Sequence, residues 1–179
     1  MPKYVAFLRA INVGGHTVKM DRLRGLFEAL SFSNVETFIA SGNVIFDTKS
    51  KDQQTLERKI EKHLRETLGY AVTTFLRSTD ELAVIASVKP FSDSELQAEG
   101  NVLYVAFFAT KPSEAATQKL MSLRSTIDDF HVNEREVYWL YRRRAGESKF
   151  YGAPLEKCLA MQTTMRNFNT VRKLVAKYS

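Results

Sequence analysis

The first residues whose types suggest chemistry lie near the start of the chain. Arg9 interrupts a nearly continuous apolar run, Lys3 to Ala10, and is followed by Asn12, Gly14, Gly15 and His16. A guanidinium among apolar neighbours is costly unless it is paired or holds an anion. Paired glycines let a backbone approach a ligand closely. A helix start adds unpaired N–H groups and partial positive charge. The segment Leu8-Arg9-Ala10-Ile11-Asn12-Val13-Gly14-Gly15-His16 therefore suits an anion, although its spacing is neither a Walker loop nor a dinucleotide fingerprint. The plainer reading is a turn shaped by Gly14 and Gly15, with Arg9 at the wet end of a strand or paired with a structural carboxylate.

Three further stretches stand out for their polar groups. Ser41-Gly42-Asn43 is a turn signal that also presents short polar groups beside strand ends. In a βαββαβ order we expect this turn at the end of the sheet away from Arg9. Thr163-Thr164-Met165-Arg166-Asn167-Phe168-Asn169-Thr170 precedes an amphipathic helix. Capping explains one of its Thr or Asn residues but not Arg166 together with both asparagines. Arg142-Arg143-Arg144 follows a strand carrying Tyr138, Trp139 and Tyr141, which would suit phosphates and stacked bases, or a solvated edge. Catalytic constellations are poor. No Ser-His-Asp arrangement follows from spacing, and His16 is the one histidine in a suggestive setting. Cys158 reads as a small helical core residue, and Asp128-Asp129 as the opening of a strand rather than a metal site. No reaction and no cofactor can be named. Three scattered histidines and one cysteine complete no metal-site spacing.

The elements that must position these residues are legible from periodicity. Lys3 to Ala10 reads as a strand buried on both faces. Met20, Leu23, Phe27 and Leu30 recur at helical spacing. Glu36 to Ala40 and Val44 to Asp47 read as a hairpin across Ser41-Gly42-Asn43. Leu56, Ile60, Leu64 and Leu68 mark a charged surface helix stopped by Gly69, and Val72 to Arg77 a fourth strand. This gives βαββαβ over residues 1–78. Residues 79–101 read as a helical linker containing Pro90 and Gly100. Residues 102–179 follow as βαββα with an added C-terminal helix from Asn167. The second half echoes the first in structure, without a sequence repeat. The expected class is α+β, with two ferredoxin-like (split βαβ) subdomains and mainly antiparallel sheets.

Composition bounds the rest. The 179 residues are 44% hydrophobic and 26% charged, enough apolar material for a core, and no run approaches the length of a membrane span. A single cysteine excludes an internal disulfide, and without an export signal a cytoplasmic location is expected. The net charge of +6 lies wholly in residues 134–179, where it would attract phosphates or nucleic acid or simply form a basic surface. Oligomeric state is not readable.

Three motifs carry a family resemblance. Phe7-Leu8-Arg9-Ala10-Ile11-Asn12-Val13-Gly14-Gly15, with Lys19-Met20 and Leu23 behind it, resembles the opening of the domain of unknown function 1697 family. Thr37-Phe38-Ile39-Ala40-Ser41-Gly42-Asn43-Val44-Ile45-Phe46 is similar to its second motif. Thr163-Thr164-Met165-Arg166-Asn167-Phe168-Asn169-Thr170-Val171 is similar to its closing motif, with modest departures at Met165 and Phe168. The resemblance implies a bacterial-type cytosolic protein of two ferredoxin-like subdomains and no stated activity. Its signature positions here are Arg9, Asn12, Gly14, Gly15, Ser41, Gly42, Asn43, Arg166, Asn167 and Thr170. Four functions compete: a binding protein for a small anionic or phosphorylated ligand, a nucleic-acid binder through the basic C-terminal region, an enzyme on an anionic substrate, and a structural or protein-interaction module without a ligand.

Overall fold

The structure is a computed structural model and describes residues 1–12, 14–39, 42–150 and 153–179. The chain divides into two units, Met1–Ala83 with Lys177–Ser179, and Val84–Ala176. The first unit runs β1 (Lys3–Leu8), α1 (Met20–Glu28), β2 (Ser33–Thr37), β3 (Asn43–Asp47), α2 (Gln53–Leu68) and β4 (Thr74–Ser78), and α3 (Thr79–Ser87) follows. Its sheet has the order β2-β3-β1-β4, with every neighbouring pair antiparallel. Apolar residues of α1 (Leu23, Leu26, Phe27) and α2 (Leu56, Ile60, Leu64) pack on Tyr4, Ala6, Leu8, Val44, Phe46 and Leu76. Each such side chain contributes roughly 1.5–3 kcal/mol when fully buried. Asp52 caps α2 by accepting from Thr55 N–H at 3.1 Å, and Gly69, at φ +84°, ends it in the left-handed conformation. Alternation sends Val5, Phe7, Ile45, Phe75 and Arg77 to the opposite face of the sheet, and these too are buried.

The second unit contains α4 (Asp93–Gln97), β5 (Asn101–Phe107), α5 (Glu114–Met121), β6 (Asp128–Asn133), β7 (Glu136–Arg142), α6 (Ala153–Leu159), β8 (Thr164–Asn167) and α7 (Phe168–Tyr178). The sheet order is β6-β7-β5-β8, again antiparallel throughout. Ala106, Phe108, Phe130, Trp139 and Tyr141 form its core with Leu120, Leu155 and Leu159. The fold is α+β with two similar subdomains, each in the split βαβ arrangement.

Two expectations are corrected. The second unit is a complete βαββαβ, because Thr164–Asn167 forms a fourth strand against β5 instead of a capping segment. Two threonines, an arginine and an asparagine hide the strand, since no apolar alternation marks it. The repeat is also visible in sequence once strand register aligns the units. Tyr4-Val5-Ala6-Phe7 and Tyr104-Val105-Ala106-Phe107 occupy the same sheet positions, with Val5 opposite Arg77 and Val105 opposite Arg166.

Candidate functional site

The signature residues of the first unit meet at one end of its sheet. Because β1 and β3 are antiparallel, Phe7 at the end of β1 lies opposite Asn43 at the start of β3. The turn before Asn43 is therefore beside Arg9, not at the far end as the sequence reading had it. The split βαβ order requires this, since β3 runs antiparallel to both β1 and β2, so that β2 ends and β3 starts at the same end of the sheet as the end of β1. Leu8 N–H donates to Gly42 O at 2.9 Å, and Arg9 N–H donates to Thr73 O at 2.9 Å. Gly42 sits at φ +77°, and a Cβ there would lie 2.9 Å from Ile11 Cγ2 and 3.2 Å from Leu8 Cβ. Only glycine fits that approach. Tyr70 Oη donates to Ile11 O at 3.0 Å, and the His16 ring stacks on Tyr70 with centroids 3.8 Å apart. Ile11 is thus the point where the glycine loop, the turn and the segment after α2 converge.

Within this cluster the roles separate. Asn43 is fully buried, and its Nδ2 donates to Phe38 O at 3.0 Å, so it holds the turn. Asn12 Oδ1 accepts from Val18 N–H at 2.8 Å and closes the glycine loop. Gly14 and Gly15, at φ +66° and +83°, are exposed with nothing near the place a Cβ would take, so their backbone is open to approach. Arg9 is half-buried just past the strand end, not inside it. Ser41 lies outside the described residues.

The second unit makes the same connections far more economically. Eleven residues, 9–19, join β1 to α1, whereas six, 108–113, join β5 to α5. Five residues, 38–42, link β2 to β3, whereas two, 134–135, link β6 to β7. Ser113 caps α5 by accepting from Ala116 N–H at 3.1 Å, while α1 starts with no side-chain cap. Ala10 and Ile39 in the first unit's loops hold φ of +55° and +58°, and Glu134 in the second unit's two-residue turn holds +50°. For a β-branched residue such as Ile39 this conformation is a true outlier, costing about 1–3 kcal/mol. Ile39 is also 45% exposed, so no burial of its side chain offsets the strain.

The remaining predicted residues belong to the second unit. Arg166 is buried in β8, and its Nη1 donates to Thr164 Oγ1 at 2.7 Å and to Met165 O at 2.8 Å. Burial pushes its pKa down to about 10, which leaves it charged at neutral pH. Asn167 Oδ1 accepts from Asn169 N–H at 2.9 Å, and Thr170 lies half-buried in the first turn of α7. Two arginines of the basic C-terminal region pair with acids from outside it. Arg142 pairs with Glu95 at 2.8 Å and Asp129 at 3.4 Å, and Arg144 with Glu99 at 2.5 Å. Tyr138 and Trp139 are fully buried and Tyr141 nearly so, which removes them as platforms for stacked bases. Asp128 accepts from Trp139 Nε1 at 2.8 Å and Ser148 Oγ at 2.7 Å, a structural role at the start of β6.

The sequence reading missed Arg77. It is 1% exposed in β4, in the register position of Arg166, and donates to the carbonyl of the preceding residue, Leu76, at 2.8 Å, as Arg166 does to Met165. The signal was present in Thr74-Phe75-Leu76-Arg77-Ser78, which parallels Thr163-Thr164-Met165-Arg166-Asn167. The outward N–H groups of β4 are closed as well: Thr74 by Glu61 at 2.9 Å, Leu76 by Glu57 at 3.0 Å and Ser78 by Glu81 at 2.7 Å. Thr163 N–H is likewise accepted by Glu156 at 3.0 Å. These contacts blunt edge strands that would otherwise template association.

The profile of the family described as "Protein of unknown function (DUF1697)" matches residues 1–138. The chain belongs to that family. The matched span contains the glycine loop and the turn at Gly42, while the segment from Thr163 lies beyond it. Among solved structures, the chain resembles the conserved bacterial protein SP0830 from Streptococcus pneumoniae at 19% identity, with a TM-score of 0.78 over 98% of this chain and 97% of that one. At that identity the likeness shows the shared fold of the DUF1697 chain and nothing about activity. No curated protein matches the sequence. Among the described residues, no helix is long and apolar enough to cross a membrane.

Proposed function

We propose that this DUF1697 protein binds a small anionic or phosphorylated ligand at the end of the first unit's sheet, over the glycine loop and beside Arg9. The observation that supports it is the contrast between equivalent connections. The second unit shows that the fold closes with a six-residue loop, a capped helix and a two-residue turn. The first unit instead carries a long loop with open glycine backbone, a helix start without a side-chain cap and a β-branched residue, Ile39, at positive φ, whereas the second unit's positive-φ residues, Glu134 and Ala160, are not β-branched. Strain that a fold does not require, beside a helix start left without a side-chain cap, is characteristic of a site held ready for a ligand. Arg9 adds a permanent positive charge at the same end.

The test is a thermal-shift and calorimetric screen against orthophosphate and simple sugar phosphates. A variant replacing residues 38–42 with the two-residue turn of the second unit, and Arg9→Ala, are run in parallel. Saturable stabilisation of the parent protein that both variants lose supports the reading. No response to any of these anions, with the parent fully folded, removes it and leaves a structural module without a ligand.

A further inference from the structure

The first unit also contains a groove of about 620 Å³ between α2 and the segment leading into β4, lined by Arg58, Glu61, Lys62, Arg65, Glu66 and Thr73 among others. Arg58, Lys62 and Arg65 stand at i, i+4 and i+7, which places them along one stripe of the helix. At 1.5 Å rise per residue the stripe is about 10 Å long. On an ordinary surface helix these cations would be neutralised by acids three or four residues away. Glu61 is that acid for both arginines, three residues after Arg58 and four before Arg65. Its carboxylate is turned instead to Thr74 N–H at 2.9 Å, and Glu57 is turned to Leu76 N–H at 3.0 Å. Neither Arg58 nor Arg65 forms an ion pair among the described residues, and Lys62 has only Glu66 at 4.0 Å. Closing the β4 edge thus engages two of the three carboxylates of α2, Glu57 and Glu61, and leaves only Glu66 beside three cations that line the groove.

We propose that this groove binds an oligophosphate, a chain of two or three linked phosphates, whose successive charges match a row of cations better than one compact ion does. The groove adjoins the sheet end, since Arg9 N–H donates to Thr73 O at 2.9 Å, but its cations are those of α2 and not Arg9. The probe is inorganic tripolyphosphate at low salt, measured by calorimetry, with a nucleoside triphosphate as a second arm. The parent protein should bind saturably. Arg58→Ala/Arg65→Ala should weaken binding about tenfold or more. Glu61→Gln, whose amide oxygen can still accept from Thr74 N–H, should tighten it, because a negative charge leaves the groove while the edge stays closed. Arg9→Ala, which keeps the N–H that bonds Thr73 O, should retain saturable binding that the Arg58→Ala/Arg65→Ala variant loses. Equal affinity for both probes would assign recognition to the phosphate chain alone, and tighter binding of the nucleotide would add a contact from its base; both support the site. Absence of saturable binding would overturn it. So would an equal loss from the control Arg24→Ala on α1, or a response to single-stranded RNA without any to tripolyphosphate.

Discussion

The two units are the same structure built twice, and they diverge at one end. Both place Tyr-Val-Ala-Phe on the inner strand, an arginine opposite its valine, and a glutamate on the N–H of the threonine before that arginine. Positions shared in this way are what the fold needs. Each buried arginine hydrogen-bonds along its own edge strand, a contact the two units share. The loops at residues 9–19 and 38–42 have no counterpart in the second unit, so the demands of folding do not explain them. The comparison separates structural from functional candidates without any knowledge of relatives.

Substitutions at matched positions can break or sharpen this comparison. The largest effect is expected at the shared arginines. Arg77→Ala and Arg166→Ala should each cost about 3 kcal/mol, because truncation empties a buried site and strands edge carbonyls. Urea denaturation checks this, and a neutral result at either would mean that the two edges are not closed alike. Next comes the turn. Gly42→Ala should cost about 2–3 kcal/mol from the clash with Ile11 and the positive φ, whereas Gly14→Ala, with open space around it, should cost only about 1 kcal/mol. A smaller effect of opposite sign is expected at Ile39. Ile39→Gly should stabilise the protein by up to about 1 kcal/mol by relieving strain, while weakening any anion response if the strained turn serves the site.

The smallest effect lies in pH dependence. Burial raises the pKa of Glu61, and its hydrogen bond from Thr74 only partly opposes this. The folded protein then holds that proton more tightly than the unfolded chain. The contribution of Glu61 to stability is full at acid pH and is lost as pH rises through the folded pKa. Glu95 in the second unit behaves in the opposite sense. Its hydrogen bond from Arg142 lowers its pKa, so its contribution is present at neutral pH and is lost as pH falls. Glu61→Gln should therefore gain on the parent protein only at higher pH, and Glu95→Gln should lose most there. Thermal melts across the acid range distinguish the two slopes.

Much of this was legible in the sequence. The apolar periodicity of Leu56, Ile60 and Leu64 and the run from Tyr4 to Leu8 announced their elements, because burial sets both patterns. β8 was not legible. Its four residues carry no alternation, and its pairing depends on β5, some sixty residues earlier. The glycine loop, Arg9 and the turn at Gly42 were all found as candidates, but their meeting was not, since the wrong end of the sheet was assigned to the turn. Arg166 is legible as an unusual residue, but its hydrogen bonds to Thr164 and Met165 within its own strand are not. Arg77 escaped notice because a single arginine near the end of a short strand looks like a wet terminus until burial is known. The cations of α2 looked like a solvated face, for which spacing alone cannot reveal that Glu57 and Glu61 are engaged elsewhere.

The most direct test of the central claim is an amide chemical-shift titration of the intact protein with orthophosphate and a sugar phosphate. Saturable shifts confined to residues 9–19 and 38–43, with the matching connections 108–113 and 134–135 unmoved, are the predicted result. Shifts of equal size in both units, or none in the first, would contradict the assignment of a binding site to the elaborated end.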